Sequence, residues 1–157
     1  MVYRQLGKTG LSADGAGLSR LRGRLEREDL TCIVQKGDRI LTSRRRGIRP
    51  LLEWIAQGED LRGASAADKI VGKAAALLYV LMGVKEVFAG TLSESGLAVL
   101  TRNGVQAEYA VLAPHIVNRA GTGLCPMEET VLAVDDPAAA YAALREKAEQ
   151  LRNATTQ

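Results

Sequence analysis

Residues 65–91 read SAADKIVGKAAALLYVLMGVKEVFAGT, and the reading of this stretch decides the fold. Ser65 is a good N-cap residue, alanine and leucine dominate the stretch after it, and Gly83 supplies a stop. The pattern predicts one long helix over Ala66 to Met82. From Ile70 onward it is nearly apolar all round, so most of it is expected to be buried. Val84 to Thr91 then reads as a strand. A buried helix feeding a strand is the repeating unit of an α/β sheet.

Upstream, Leu30 to Val34 is apolar and β-branched, Gly37-Asp38 is a turn signal, and Arg39 to Thr42 completes the pattern. Together they predict a β-hairpin. Between Ile48 and Gly58, Pro50 suits a first helical turn and Gly58 the C′ position, with Leu51, Trp54 and Ile55 on one face. Downstream, Ser93 and Glu94 open a helix that stops at Asn103-Gly104, and Val105 to Val111 is a strand. Pro114 to Asn118 reads as a short helical turn and Ala120 to Gly123 as a loop. Pro126 opens a short helix to about Ala133, and Asp135-Asp136-Pro137 caps a last helix over about Ala138 to Arg152. The order predicts an α/β protein, three-layer α/β/α with one mixed sheet. The domain is expected over residues 29–152, with a frayed tail at 153–157.

The chain has 157 residues, 46% of them hydrophobic and 25% charged, values that exclude a disordered chain. Aromatic residues are only 4%, so the core must be aliphatic. The net charge is +3, and residues 1–28, with six basic and three acidic side chains, hold all of it. The remainder is neutral, which argues against a nucleic-acid partner because it lacks the field that phosphate backbones need. The run Arg44-Arg45-Arg46 reads as a solvated loop. The longest uncharged run, Ala74 to Val84, is far short of the roughly 20 residues of a membrane span. No apolar signal segment opens the chain, so Cys32 and Cys125 are expected reduced in a cytoplasmic protein.

Tyr3 to Ser12, YRQLGKTGLS, resembles the opening hairpin of aldo-keto reductases, which reads Y-R-x-L-G-x-T-G-L. The likeness covers about twenty residues. Ala13, Asp14 and Ala16 depart from it, and Gly17-Leu18 returns to it. A reductase barrel needs about 250 residues. Residues 1–28 are therefore expected to be a poorly ordered leader of vestigial kind, and no oxidoreductase activity is read from them.

Hairpin, helix, strand, helix, strand is also the order in cytidine-deaminase-like folds. Zinc deaminases place His or Cys ligands and a proton-shuttling Glu at the starts of two central helices. Here those starts read Ala67-Asp68-Lys69-Ile70 and Leu92-Ser93-Glu94-Ser95, and His115 is the only histidine. His115, Cys125 and Cys32 have no recognised ligand spacing. No metal and no cofactor is expected. Asp68 to Leu78, Gly83 to Val87, and Asn118 to Glu128 resemble the bacterial and archaeal family of unknown function numbered 1893, over about Asp29 to Leu151. The resemblance implies a cytidine-deaminase-like three-layer fold without the zinc motifs. Ala120 stands where that family commonly has Thr.

Lys73 is the only charge between Ile70 and Val84. Four residues after Lys69, it falls on the same face of the predicted helix. Two readings stand: both lysines reach the surface or pair with Asp68 or Glu128, or together they hold an anion. Arg119 beside Gly121-Thr122-Gly123 is a second anion signal, with Asn118 adjacent. Cys125 precedes Pro126 at a helix start, where thiols are activated, and reads as a catalytic nucleophile or as a small core residue. Glu128 is a capping residue or its general base. Ser93 reads as an N-cap. The expected cleft gathers Asp68, Lys69, Lys73, Ser93, Glu94, Ser95, Asn118, Arg119, Thr122, Cys125 and Glu128 around a small anionic, nucleotide-like metabolite. A metal-free enzyme using Cys125 and Glu128, and a non-catalytic sensing or partner-binding module, are the alternatives.

Overall fold

A computed structural model describes residues 15–155. The expected hairpin forms from β1 (Cys32–Lys36) and β2 (Arg39–Ser43), closed by Gly37-Asp38 with Gly37 at φ +58°. The helix α2 (Arg49–Ala56) carries Pro50 in its first turn, and Gly58 lies just beyond its C-cap at φ +74°. Next come β3 (Ser65–Val71), α3 (Lys73–Met82), β4 (Glu86–Ser93), α4 (Glu94–Arg102) and β5 (Gln106–Ala113). Last are α5 (Pro126–Thr130) and α6 (Pro137–Thr155). A further helix, α1 (Gly15–Arg27), precedes the hairpin.

The sheet order is β2-β1-β3-β4-β5. β1 is antiparallel to β2 and β3, while β3, β4 and β5 are parallel. This is the mixed sheet expected of an α/β protein. On one face α1 packs against β1, β3 and β4. Leu18, Leu21 and Leu25 meet Leu30, Ile33, Ala67 and Phe88 there. On the other face α3 is central, in contact with α2, α4, α5 and α6. Its residues Ala74 to Tyr79 are all buried. Three layers result, one of them a single helix among the described residues.

Four expectations are corrected. The predicted helix over Ala66 to Met82 is a strand followed by a shorter helix. Ser65 to Val71 is the middle strand, held by β1 on one side and β4 on the other. Ala66 and Ala67 point to opposite faces and are both fully buried, one in each core cluster. A strand covered on both faces reads as a continuous small or apolar run, which mimics a helix. Gly72 separates strand from helix, and Ser65 caps nothing; its hydroxyl donates to Glu86 at 2.5 Å.

Residues 15–27, expected in a poorly ordered leader, form α1, and its three buried leucines tie it to the sheet. Arg24 pairs with Glu28 at 2.7 Å, and Arg22 lies 4.5 Å over the Phe88 ring. The reductase-like stretch Tyr3 to Ser12 lies outside the described residues. Pro114 to Asn118 is not helical. Asn118 N–H donates to the Gly123 carbonyl at 2.8 Å and Cys125 N–H to the Ile116 carbonyl at 3.0 Å, so the segment folds back as an irregular hairpin. Finally, α6 runs to Thr155, past the expected helix end at about Arg152.

Candidate functional site

The three parallel strands end together, and their carboxyl ends are where ligands collect in open α/β sheets. Each leads at once into an element that could hold a charge. After β3 comes Gly72 and the head of α3. Both oxygens of Glu128, brought in by α5, accept there: Lys73 N–H donates to Oε1 and Ala74 N–H to Oε2, each at 2.8 Å. Glu128 is buried, and its negative charge sits on the positive end of the α3 dipole. The contact requires glycine at 72. A Cβ on that residue would lie 2.3 Å from Glu128 Oε1.

After β4 comes α4, capped by Ser93, whose hydroxyl accepts from Gly96 N–H at 2.9 Å. Ser93 is fully buried, while Glu94 and Ser95 are exposed. After β5 come Pro114 and His115. Between α4, this loop and the α5–α6 connection lies a cavity of about 230 Å³. Its polar lining is Lys73, Ser95, Arg102, His115, Glu128 and Asp135, over an apolar wall that includes Ala98, Val99 and Ile116. The Lys73 side chain is 13% exposed, and Nζ donates to the Leu132 carbonyl at 3.1 Å and pairs with Asp135 at 3.0 Å. Arg102 lies 3.8 Å from the same Asp135 carboxylate. The hydrogen bond from Lys73, its charge and that of Arg102 hold Asp135 below the usual carboxylate range. A larger hollow, about 440 Å³, flanks β5 along Leu97, Val105 and Tyr109, but no charged side chain lines it.

Of the expected cleft, Lys73, Ser95 and Glu128 come together here. Lys69 does not share a face with Lys73: it stands on β3 and pairs with Asp29, at 2.8 Å, on the α1 side. Asp68 faces the α3 layer, where its Oδ2 accepts from Tyr79 Oη at 2.7 Å and Oδ1 from Ile70 N–H at 3.1 Å. Burial pushes its carboxyl up to about 7, against the opposing hydrogen bonds. Thus neither Asp68 nor Glu128 is the side-chain partner of Lys73. Asn118 and Thr122 bond each other within the loop, and Arg119 is exposed outside the cavity lining. Cys125 is the N-cap of the five-residue α5, and no hydrogen bond joins its thiol to Glu128 among the described residues. Among those residues no three His, Cys, Asp or Glu side chains converge to hold a metal. His115, Arg102 and Asp135 are lining residues outside the expected set. Only His115 carries a signal in the sequence, its place just beyond a parallel strand.

The family described as TM1506, domain of unknown function (DUF1893), matches residues 20–148. The chain belongs to this family. The match begins inside α1, in keeping with the packing of that helix on the sheet. A DUF1893 family protein from Thermotoga maritima is 26% identical, with a TM-score of 0.80 over 92% of this chain and 99% of its own. A diaminohydroxyphosphoribosylaminopyrimidine deaminase/5-amino-6-(5-phosphoribosylamino)uracil reductase from the same organism is 18% identical, with a TM-score of 0.44 over 60% of this chain and 36% of its own. A likeness that low carries nothing further. No curated protein matches the chain. No helix among the described residues is long and apolar enough to cross a membrane.

Proposed function

We propose that this DUF1893 chain binds a small anionic metabolite in the cavity between α4, the β5–α5 loop and the α5–α6 connection, within a deaminase-like fold that uses no zinc. One observation carries the reading. Lys73 and Arg102 line the cavity and share a single exposed carboxylate, Asp135, while the other acid, Glu128, is spent on the head of α3. Asp135 is then the one acid that faces both cations, and this local imbalance favours an anion. Ser95 and His115 supply hydrogen bonds that give a bound molecule orientation. The volume falls below the roughly 300–1,000 Å³ of drug-sized sites, which points to a ligand smaller than a nucleotide. Glu128, with both oxygens committed to backbone N–H groups, is poorly placed as a general base for Cys125.

Calorimetry with a panel of small phosphates and carboxylates tests this. A hit should bind at least about tenfold more weakly to Lys73→Met and to Arg102→Gln, the loss of one charge-assisted contact each. Arg119→Met should leave it unchanged. If both cavity variants bind the hit as the parent does, the proposal fails.

A further inference from the structure

A second charged surface lies away from the cavity. Arg49 opens α2, and Leu52, Glu53 and Ala56 share its face at helical spacing. Opposite, α6 presents Arg145, Ala148, Glu149 and Arg152. Arg45, from the loop before α2, completes the rim of a groove of about 320 Å³. Its floor is apolar, with Leu52 and Ala148 both buried.

Arg24, Arg39 and Arg62 pair with Glu28, Glu59 and Asp60. Within the groove Arg45 pairs with Glu53. Arg49, Arg145 and Arg152 make no ion pair among the described residues, and of the two acids that line the groove Glu53 is taken by Arg45 while Glu149 makes no ion pair. Arg145 lies over the Tyr141 ring, 5.5 Å from its centroid, which orients it without neutralising it. Arg145 and Arg152 are seven residues apart on one helix, so about 10 Å separates their Cα atoms. Such a spread matches a ligand with more than one negative group. Planar guanidinium forks are suited to phosphate oxygens.

We infer that the α2–α6 groove is a binding site for a small phosphorylated molecule carrying at least two negative charges, held by Arg49, Arg145 and Arg152 over the Leu52–Ala148 floor. The groove is separate from the cavity of the proposed function and does not depend on it. The three guanidiniums hold the phosphates, and the floor takes the uncharged part of the molecule.

The experiment is calorimetry on the full chain with inorganic tripolyphosphate, alongside sulfate and a twelve-nucleotide RNA at matched ionic strength. Tripolyphosphate should bind one-to-one and more tightly than sulfate. Arg145→Gln and Arg152→Gln should each weaken it about tenfold, about 1.4 kcal/mol, and the triple variant with Arg49→Gln should abolish it. Arg62→Gln, outside both the groove and the cavity, should leave it unchanged. Because Arg145 and Arg152 are exposed, the single variants keep the fold readable by circular dichroism. No binding at millimolar tripolyphosphate overturns the inference. So does binding that survives the triple variant, or binding of the RNA alone. Loss of binding in Arg102→Gln would assign the anion to the other cavity and overturn it as well.

Discussion

Asp68→Asn should make this protein more stable at pH 8 and less stable at pH 4. Asp68 is on the central strand, opposite Cys32 on β1, and its carboxylate accepts from buried Tyr79 and from Ile70 N–H. No cation among the described residues pairs with it. Burial raises its carboxyl from 3.8 to about 7. Tyr79 and Cys32, the titratable groups facing it, are themselves pushed up by burial and stay neutral. Well below pH 3.8 the carboxyl is protonated folded and unfolded, and nothing is lost. Between pH 4 and 7 the unfolded chain has already released a proton that the folded chain retains, so stability falls as pH rises. Above 7 both states are ionised, and the full penalty applies. At about 1.36 kcal/mol per pH unit the penalty is on the order of 4 kcal/mol.

Asparagine is neutral throughout and removes this penalty. It also presents one acceptor where aspartate presents two, which leaves one donor, Tyr79 O–H or Ile70 N–H, poorly satisfied at a cost of about 1 kcal/mol. The variant should therefore be about 0.5 kcal/mol less stable at pH 4 and about 3 kcal/mol more stable at pH 8, crossing the parent near pH 4.5. Urea unfolding of both proteins from pH 4 to 8.5 at fixed ionic strength measures the difference. A difference that stays flat across this range, or a variant destabilised at pH 8 with native circular dichroism, refutes the reasoning.

The packing dictates three more outcomes. Gly72→Ala should cost about 2 kcal/mol by driving a methyl group into the Glu128 carboxylate, and close to nothing once Glu128 is alanine; a double-mutant cycle of urea midpoints measures this coupling, and additive costs would contradict it. Leu21→Ala should destabilise the whole domain by about 2–5 kcal/mol in a single cooperative transition, because Leu21 is buried between α1 and the sheet; an unchanged melting temperature would return α1 to the status of an appendage. Brief iodoacetamide treatment of the native protein should label Cys125 and spare Cys32, whose thiol is raised far above its usual range by burial and then by the Asp68 charge; peptide mass spectrometry reads the sites, and equal labelling would contradict the buried position of β1.

The fold is legible in the sequence where one residue type decides a local geometry. Gly37, Pro50, Gly58, Gly83 and Ser93 mark turns and caps, and each stands where its chemistry places it. Legibility fails where burial on both faces removes the alternation that distinguishes strand from helix, as at Ala66 and Ala67. It fails also at α1. The spacing of Leu18, Leu21 and Leu25 is helical, but four arginines and the reductase-like residues before them mask that signal. The site is the least legible part because its contacts are non-local. Glu128 is 55 residues from the N–H group it accepts from on Lys73, and Lys73 meets Asp135 across a similar span. Motif spacing along the chain does not encode such pairs.

Glu128 changes what kind of binding this fold can support. A helix head beyond a parallel strand offers free N–H groups to an anion. At α3 that offer is taken by the protein's own carboxylate, and at α4 Ser93 takes the Gly96 N–H. What the adjoining cavity presents is therefore side-chain cations, Lys73 and Arg102, more than backbone dipoles. Side-chain cations impose less geometry than a helix head does, so under the proposed reading selectivity would come from the apolar wall and from the small volume. The buried carboxylate at α3 also fixes α5, hence the position of Leu132 and Asp135 just beyond it, and through them the Lys73 ammonium. Glu128 thus acts on the cavity by positioning Lys73 at both ends: its backbone N–H directly, and its side chain through the segment that Glu128 anchors.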